Sequence, residues 1–272
     1  MVVELKGLEK KMNSNQLADT AQRLVANHKG LLAADESTGT IAKRLETIGI
    51  ESTIENRRDY REILFRTKGL GQYISGTILY DETIRQNTKD GTPLINLLVD
   101  QEIMPGIKVD TGAKALAGTD SEKITEGLDG LSERVSEYVG LGAKFAKWRA
   151  VIGIGSNIPS DYCINVNAHA LARYARICQE GGLVPIVEPE VLMDGNHTIE
   201  RCAEVTEMTL HAVFSELQAQ GVELSGIILK PNMVISGKEC TEQANPEIVA
   251  TRTLACFERT VPGDVPGIMF LS

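Results

Sequence analysis

The chain has 272 residues, of which 42% are hydrophobic and 24% charged, the composition of an ordinary globular protein whose length suits one α/β barrel or two smaller domains. Its net charge of -9, without a long run of lysine and arginine, argues against a nucleic-acid partner. No stretch approaches the roughly 18 consecutive apolar residues of a membrane span, which argues against a membrane protein.

Short apolar runs recur along the chain, mostly about 40 residues apart, and helix-like segments fill most of the gaps. The runs lie near residues 31, 74, 104, 144, 184, 226 and 267. Strands that alternate with helices indicate parallel strands covered by helices. The pattern predicts an α/β fold, a (β/α)8 TIM barrel with about seven of its eight strands, in a single domain over 1–272 that stops before the eighth strand.

The helix-like segments carry apolar residues at helical spacing. Segment 55–68 is charged on one face, and we expect Tyr60, Ile63, Leu64 and Phe65 on the opposite, buried face. Further helices are predicted over 127–140, from a cap at Asn165 to the glycines at 181–182, over 198–220, and over 245–260 with Pro246 in the first turn.

Five of the apolar runs end in charged residues. In chain order these are Asp35 and Glu36, Lys108 and Asp110, Lys147 and Arg149, Glu188 and Glu190, and Lys230. The carboxyl ends of barrel strands meet at one rim, where barrel enzymes hold their active sites. We therefore expect these side chains to face one cleft, in which the basic ones could collect a small anion.

Lys230 is the strongest candidate for a reactive group. It follows a β-branched run, so burial, together with the nearby cation Lys147, is expected to lower its pKa from about 10.4. A neutral amine condenses with a ketone to an iminium, which is an electron sink for breaking an adjacent carbon–carbon bond. That chemistry also needs acids and bases, for which Glu188, Glu190 and Asp35 are the candidates.

Structural explanations of the same residues stay open. A lysine near a strand end is usually a solvated or ion-paired cation. Glu188 and Glu190 are two residues apart and share one face of a strand. They could form structural ion pairs with Lys147 or Arg149, and Asp35 could cap a following helix. Five charged strand ends at one rim weaken these explanations.

The other chemically versatile residues show no pattern. The four histidines lack metal-binding spacing, and the five cysteines are odd in number without a Cys-x-x-Cys pair. We therefore expect no disulfide framework, no metal site, no cofactor and a reducing, cytoplasmic location. Trp148 alternates with Lys147 and Arg149 along its strand, so it is predicted to pack in the core.

Six motifs then match a known family. They are LAADES at 32–37, GIKVD at 106–110, GLDGL at 127–131, FAKWR at 145–149, VEPE at 187–190 and LKPNM at 229–233. In this order, over essentially the whole chain, they resemble the class I, Schiff-base-forming fructose-bisphosphate aldolases. The resemblance implies a metal-independent, commonly tetrameric barrel that reversibly cleaves fructose 1,6-bisphosphate to dihydroxyacetone phosphate and glyceraldehyde 3-phosphate in glycolysis and gluconeogenesis.

The resemblance also implies residue roles. Lys230 is then the Schiff-base lysine and Glu188 the acid/base of iminium formation. Lys147 would assist that step, Asp35 would accept the proton of the C4 hydroxyl, and Glu190 would orient the two lysines. The implied phosphate-binding residues are Ser37, Lys108 and Arg149 at the C6 phosphate, Arg44 near them, and Ser272 at the C1 phosphate.

The family pattern continues past this sequence. After Leu271 and Ser272 the family has a glycine-rich turn, an eighth strand whose arginine binds the C1 phosphate, and a mobile tail that ends in a tyrosine. We expect the 272-residue chain alone to be weakly active or to lack a closed barrel.

Three other functions remain to be weighed. A related Schiff-base aldolase or transaldolase would act on another sugar phosphate, such as sedoheptulose bisphosphate. A scaffold would dock on a filament or a membrane-associated complex, although the full set of ionisable groups argues against a purely binding role. A metal-dependent aldolase is disfavoured because no histidine cluster could hold zinc.

Overall fold

A computed structural model describes residues 14–270 and opens in helix α1, residues 14–24. The strands of the main sheet are β1 (Gly30–Ala34), β2 (Ile74–Leu79), β3 (Met104–Lys108), β6 (Phe145–Ile152), β7 (Val184–Val191) and β8 (Ile228–Leu229). All neighbouring strands in this sheet are parallel and follow in chain order. Strands β4 (Ala113–Ala115) and β5 (Lys123–Thr125) form a separate antiparallel pair.

Helices follow most of the strands. They are α2 (Thr38–Glu46), α3 (Ile54–Phe65), α4 (Asp81–Ile84), α5 (Leu94–Val99), α6 (Leu131–Gly140), α7 (Asp161–Glu180), α8 (Ile199–Ala219) and α9 (Pro246–Thr260). Ile268 adds a parallel bridge to Leu229 beyond β8. A parallel sheet with its connecting helices fits an incomplete (β/α)8 barrel, and the predicted fold class is confirmed.

Side-chain caps set where the longer helices begin. Thr198 and Asn245 accept backbone N–H groups at the starts of α8 and α9, at the predicted boundaries. The predicted cap at Asn165 is wrong, because Ser160 caps α7 by accepting from Cys163 N, which adds a full turn before Asn165. Asp35 is not the cap of α2 either, since the Ser37 hydroxyl accepts from Thr40 N at 3.4 Å.

The buried face of α3 differs from the prediction. Ile63 is 71% exposed, whereas Arg57, Arg61 and Phe65 are buried. These three residues are four apart and therefore share one side of the helix. The two arginines can lie on the inner side because carboxylates and backbone carbonyl oxygens bind them there. The positions of the charged residues therefore did not identify the solvent-facing side of α3.

The barrel interior is apolar at the amino-terminal ends of its strands. Phe145 is fully buried there and packs in a cluster that includes Leu24 of α1. A Cβ placed on Gly106 would lie 2.2 Å from the Phe145 ring, and one on Gly76 would lie 2.9 Å from it. Glycine is therefore required beside this ring. The packed end leaves the opposite rim, at the carboxyl ends of the strands, for a polar cleft.

None of the helices within residues 14–270 combines the length and the apolar character needed to cross a lipid bilayer.

Candidate active site

The carboxyl ends of the strands surround an open cavity of about 490 Å³. Nine of the ten predicted site residues line it, namely Asp35, Ser37, Arg44, Lys108, Lys147, Arg149, Glu188, Glu190 and Lys230. Their sequence positions span most of the chain, so only the barrel brings them together. Ser272, the tenth, lies outside the described residues.

Strand β6 directs its side chains alternately into the cavity and away from it. Lys147 and Arg149 line the cavity, while Trp148 between them is fully buried. The Trp148 ring stacks on Tyr174 of α7 with 5.5 Å between ring centroids. The two-residue period of a strand therefore places charge inside and an aromatic anchor outside, as predicted.

Lys230 lies at one end of a row of amines and carboxylates that runs through Glu188 and Lys147 to Asp35. Its Nζ donates to Oε1 of Glu188, and Lys147 Nζ lies 3.4 Å from the other oxygen, Oε2. Lys147 Nζ also donates to Oδ2 of Asp35 at 3.0 Å. Lys230, Lys147 and Glu188 are 5%, 6% and 1% exposed, respectively. The two lysines and Glu188 thus have almost no access to water, whereas the Asp35 side chain is partly exposed.

This environment changes the acidity of Lys230. Its pKa is lowered from 10.5 to about 6, first by burial and then by the positive charges of Lys147 and Arg149, with Asp35 acting in the opposite direction. At neutral pH the amine is therefore mostly unprotonated. A buried, neutral lysine amine is a nucleophile for a carbonyl carbon.

The remaining cations at the rim are each paired with a carboxylate. The pairs are Arg44 with Glu36, Lys108 with Asp110 at 3.0 Å, and Arg149 with Glu190. Glu190 has no other ion pair among residues 14–270, so its predicted influence on Lys230 stays a prediction. Arg149 Nε is also 3.9 Å from Glu188. The paired guanidinium and ammonium groups line the same cavity and are suited to bind phosphate oxygens.

Sequence reasoning gave no role to three residues near the site. Glu36 and Asp110 were recognised only as charged strand ends, and both now line the cavity as partners of cations. Arg61 was missed because arginine in an amphipathic helix usually faces solvent. Its spacing of four from both Arg57 and Phe65 was the available signal.

Nothing in the described part of the chain resembles a metal site: no three His, Cys, Asp or Glu side chains are grouped to hold an ion.

Comparisons with known proteins agree with the motifs. The family model of class-I fructose-bisphosphate aldolase matches residues 16–272. A protein of Xanthomonas campestris pv. campestris named probable fructose-bisphosphate aldolase class 1 is 62% identical over 261 residues, which cover 96% of this chain and 78% of that protein. Fructose-bisphosphate aldolase 2 of Plasmodium berghei is 54% identical over 261 residues, covering 95% of this chain and 71% of that protein.

A solved structure supports the same assignment at the level of the fold. It contains fructose-bisphosphate aldolase from Plasmodium falciparum in complex with TRAP and a small-molecule inhibitor. The match has a TM-score of 0.94 and 53% sequence identity, and it covers 96% of this chain and 76% of that one. The predicted resemblance and enzyme class, a carbon–carbon lyase, are confirmed, and the chain belongs to the class I fructose-bisphosphate aldolase family.

Proposed function

We propose that this protein reversibly cleaves fructose 1,6-bisphosphate to dihydroxyacetone phosphate and glyceraldehyde 3-phosphate through a Schiff base on Lys230. Family membership supports the substrate. The observation that carries the mechanism is the buried Lys230 amine, whose pKa is lowered to about 6 and which touches Glu188. A solvated lysine would be protonated and unreactive at neutral pH.

In the first stage, Lys230 Nζ attacks the C2 carbonyl carbon of the open-chain sugar. Glu188 donates a proton to the C2 hydroxyl of the resulting carbinolamine, water leaves, and the iminium forms. Its contact with Lys230 puts this carboxyl within reach of the reacting atoms. Lys147, 3.4 Å from Glu188, supplies positive charge beside the oxygen that develops negative charge.

In the second stage, Asp35 accepts the proton of the C4 hydroxyl. The C3–C4 bond breaks, its electron pair moves into the iminium to give an enamine, and glyceraldehyde 3-phosphate leaves as the aldehyde. Protonation of the enamine at C3 and hydrolysis of the iminium then release dihydroxyacetone phosphate and the free amine. The 3.0 Å bond from Lys147 Nζ to Oδ2 supports this role by holding the Asp35 carboxyl group at the cavity.

The cationic rim is proposed to bind the C6 phosphate through Ser37, Lys108 and Arg149, with Arg44 close by. A phosphate dianion favours charge-assisted donors, and the amino end of α2 beside Ser37 adds backbone N–H groups. Glu190 is proposed to tune the two lysines through Arg149. Ser272 is assigned to the C1 phosphate from the family resemblance alone.

We further propose a glycolytic and gluconeogenic role in the cytoplasm, a homotetrameric assembly, and a single-domain chain that binds neither nucleic acid nor membrane. The five cysteines are all free thiols, which supports a reducing compartment. One continuous parallel sheet supports a single domain. The tetramer rests on the family resemblance.

Borohydride trapping tests the mechanism. Reduction in the presence of dihydroxyacetone phosphate should fix a stable adduct on Lys230 of the wild-type protein and abolish its activity. Lys230→Met should give no adduct. The matched control is Lys144→Met, an exposed lysine just before β6 at the opposite end of the barrel, which should trap at the wild-type rate. An adduct on another lysine, or none in active protein, contradicts the proposal.

A further inference from the structure

Arg61 lies directly behind the end of strand β1. The side chain is fully buried although it belongs to the outer helix α3. Its Nε donates to the carbonyl oxygen of Ala34 at 3.3 Å, and its Nη2 donates to that of Glu36 at 2.8 Å. These two carbonyls belong to the residues on either side of Asp35. One planar guanidinium therefore fixes the backbone before and after the proposed base.

The charge of Arg61 is balanced on both sides. Nη2 lies 3.8 Å from Oε2 of Glu36, and Nη1 lies 3.7 Å from Oε1 of Glu82. Glu82 in turn accepts two bonds from Arg57, at 2.9 Å and 2.5 Å. Burial lowers the pKa of Arg61, but a guanidinium stays protonated in proteins. A buried ionic network contributes little net stability, so fixed geometry is the more substantial effect of keeping it.

The same network separates two adjacent carboxylates. Glu36 turns towards Arg44 and Arg61, and its side chain makes no contact with Lys147 among the described residues. Asp35 is left to face Lys147 at 3.0 Å. Arg61 binds the backbone carbonyls on both sides of Asp35 and so holds the segment that carries the two carboxylates.

We infer that Arg61 is a positioning residue that holds Asp35 at the distance needed for cleavage of the C3–C4 bond, an inference that rests on the proposed function of Asp35. It touches no reacting atom. A displacement of about 1 Å at a catalytic group reduces turnover by about 100-fold. Lysine cannot replace the Arg61 guanidinium, because a single ammonium group does not span two carbonyl groups in fixed planar geometry.

The test compares two half-reactions in the full chain. In Arg61→Lys, kcat for cleavage of fructose 1,6-bisphosphate should fall by about 100-fold. Borohydride trapping with dihydroxyacetone phosphate should stay within about twofold of wild type, because iminium formation uses Lys230 and Glu188. Arg66→Lys, an exposed arginine at the end of the same helix, is the matched control and should leave both rates unchanged. Arg61→Gln is measured in parallel. Its side-chain amide can donate to one of the two carbonyl groups, of Ala34 or Glu36, but carries no charge.

A double-mutant cycle distinguishes an effect of Arg61 on the position of Asp35 from a general loosening of the site. In an Asp35→Asn background, Arg61→Lys should reduce the residual cleavage rate by less than about twofold, because the group that it positions is already disabled. An equal loss in both backgrounds, or a parallel loss of trapping and cleavage, overturns the inference. Wild-type protein that forms no adduct refutes the proposed function instead. Active wild type with unchanged kcat in folded Arg61→Lys and Arg61→Gln refutes the inference alone.

Discussion

The acidity of a single nitrogen atom, Nζ of Lys230, depends on the side chains around it. Burial lowers its pKa, two neighbouring cations add to the effect, and Glu188, the proposed acid/base, lies in contact with it. The same arrangement leaves Lys147 between Glu188 and Asp35, bridging the proposed acid of one step and the proposed base of another. The two lysines, and likewise the two carboxylates, are therefore assigned different chemical roles because their neighbours differ.

The lowered pKa makes the pH dependence of Schiff-base formation predictable. Attack requires the neutral amine, so the trapping rate should rise as pH increases through about 6 and level off above about 7. Trapping with dihydroxyacetone phosphate and borohydride between pH 5 and 9, with folding checked by circular dichroism, measures the profile. A rate that still climbs steeply from pH 8 to pH 9 would show an amine close to its ordinary pKa of 10.5.

Glu188 is expected to be the most sensitive carboxyl in iminium formation. Glu188→Gln preserves size but removes the group that donates and accepts the proton, so the trapping rate should fall by about 100-fold or more. The control is Glu180→Gln at the exposed end of α7, whose carboxylate pairs with Arg176 and with no other cation in residues 14–270. A Glu188→Gln protein that traps at the control rate would exclude the assigned acid/base role.

The charged residues of the site were identifiable from sequence because carboxyl ends of parallel strands share a rim. Their pairings were identified only in part: ion pairs of Glu188 and Glu190 with Lys147 or Arg149 were weighed and are present, whereas the pairing of Lys147 with Asp35 was not predicted. Lys147 and Asp35 are 112 residues apart, and their contact depends on the tilt and stagger of strands that no local pattern records. The pairing of Arg44 with Glu36 was not predicted either.

Strand β6 and helix α3 both place side chains at or beside the site, but only the orientation of β6 was predictable from the sequence. The alternating face of β6 was predictable, because a strand has a period of two and Trp148 is apolar. The inward face of α3 was not, since the buried partners of its arginines come from other elements. A pattern of hydrophobic residues describes a helix correctly only where its packed face is apolar.

Trp148 links the packing of β6 to its function. Trp148→Ala should lower the free energy of unfolding by about 3–5 kcal/mol and also reduce kcat, because Lys147 and Arg149 lose the anchor between them. Trp148→Phe should lower it by less than Trp148→Ala does, since a smaller ring can still stack on Tyr174. In residues 14–270 the indole N–H has no hydrogen-bond partner to lose. Urea unfolding followed by circular dichroism is the measurement, because Trp148 is the only tryptophan.

For the whole molecule, the parallel sheet separates a packed end from a polar end. The repeat of apolar runs predicted six of its strands and the segment that pairs at Ile268, because each run must be buried. The β4–β5 pair was not predicted, since its short strands are largely exposed and carry no apolar run. Long-range packing such as that of Phe145 on Gly106 also escaped prediction.

The packed end can be disturbed independently of the site. Gly106→Ala should lower the free energy of unfolding by about 1–3 kcal/mol, because the added methyl group would overlap the buried Phe145 ring. Gly140→Ala is the matched control. It lies in α6 with open space around its Cα, and alanine should stabilise the protein by about 0.4–1 kcal/mol. Equal effects of the two substitutions in urea unfolding would contradict the packing argument.

Under the proposed function, a substrate phosphate that binds Arg44 and Arg149 would compete with the glutamates already paired with these two residues. A phosphate dianion would compete for the two guanidinium groups more strongly than a monovalent anion such as chloride, because it carries more charge and offers more acceptor oxygens.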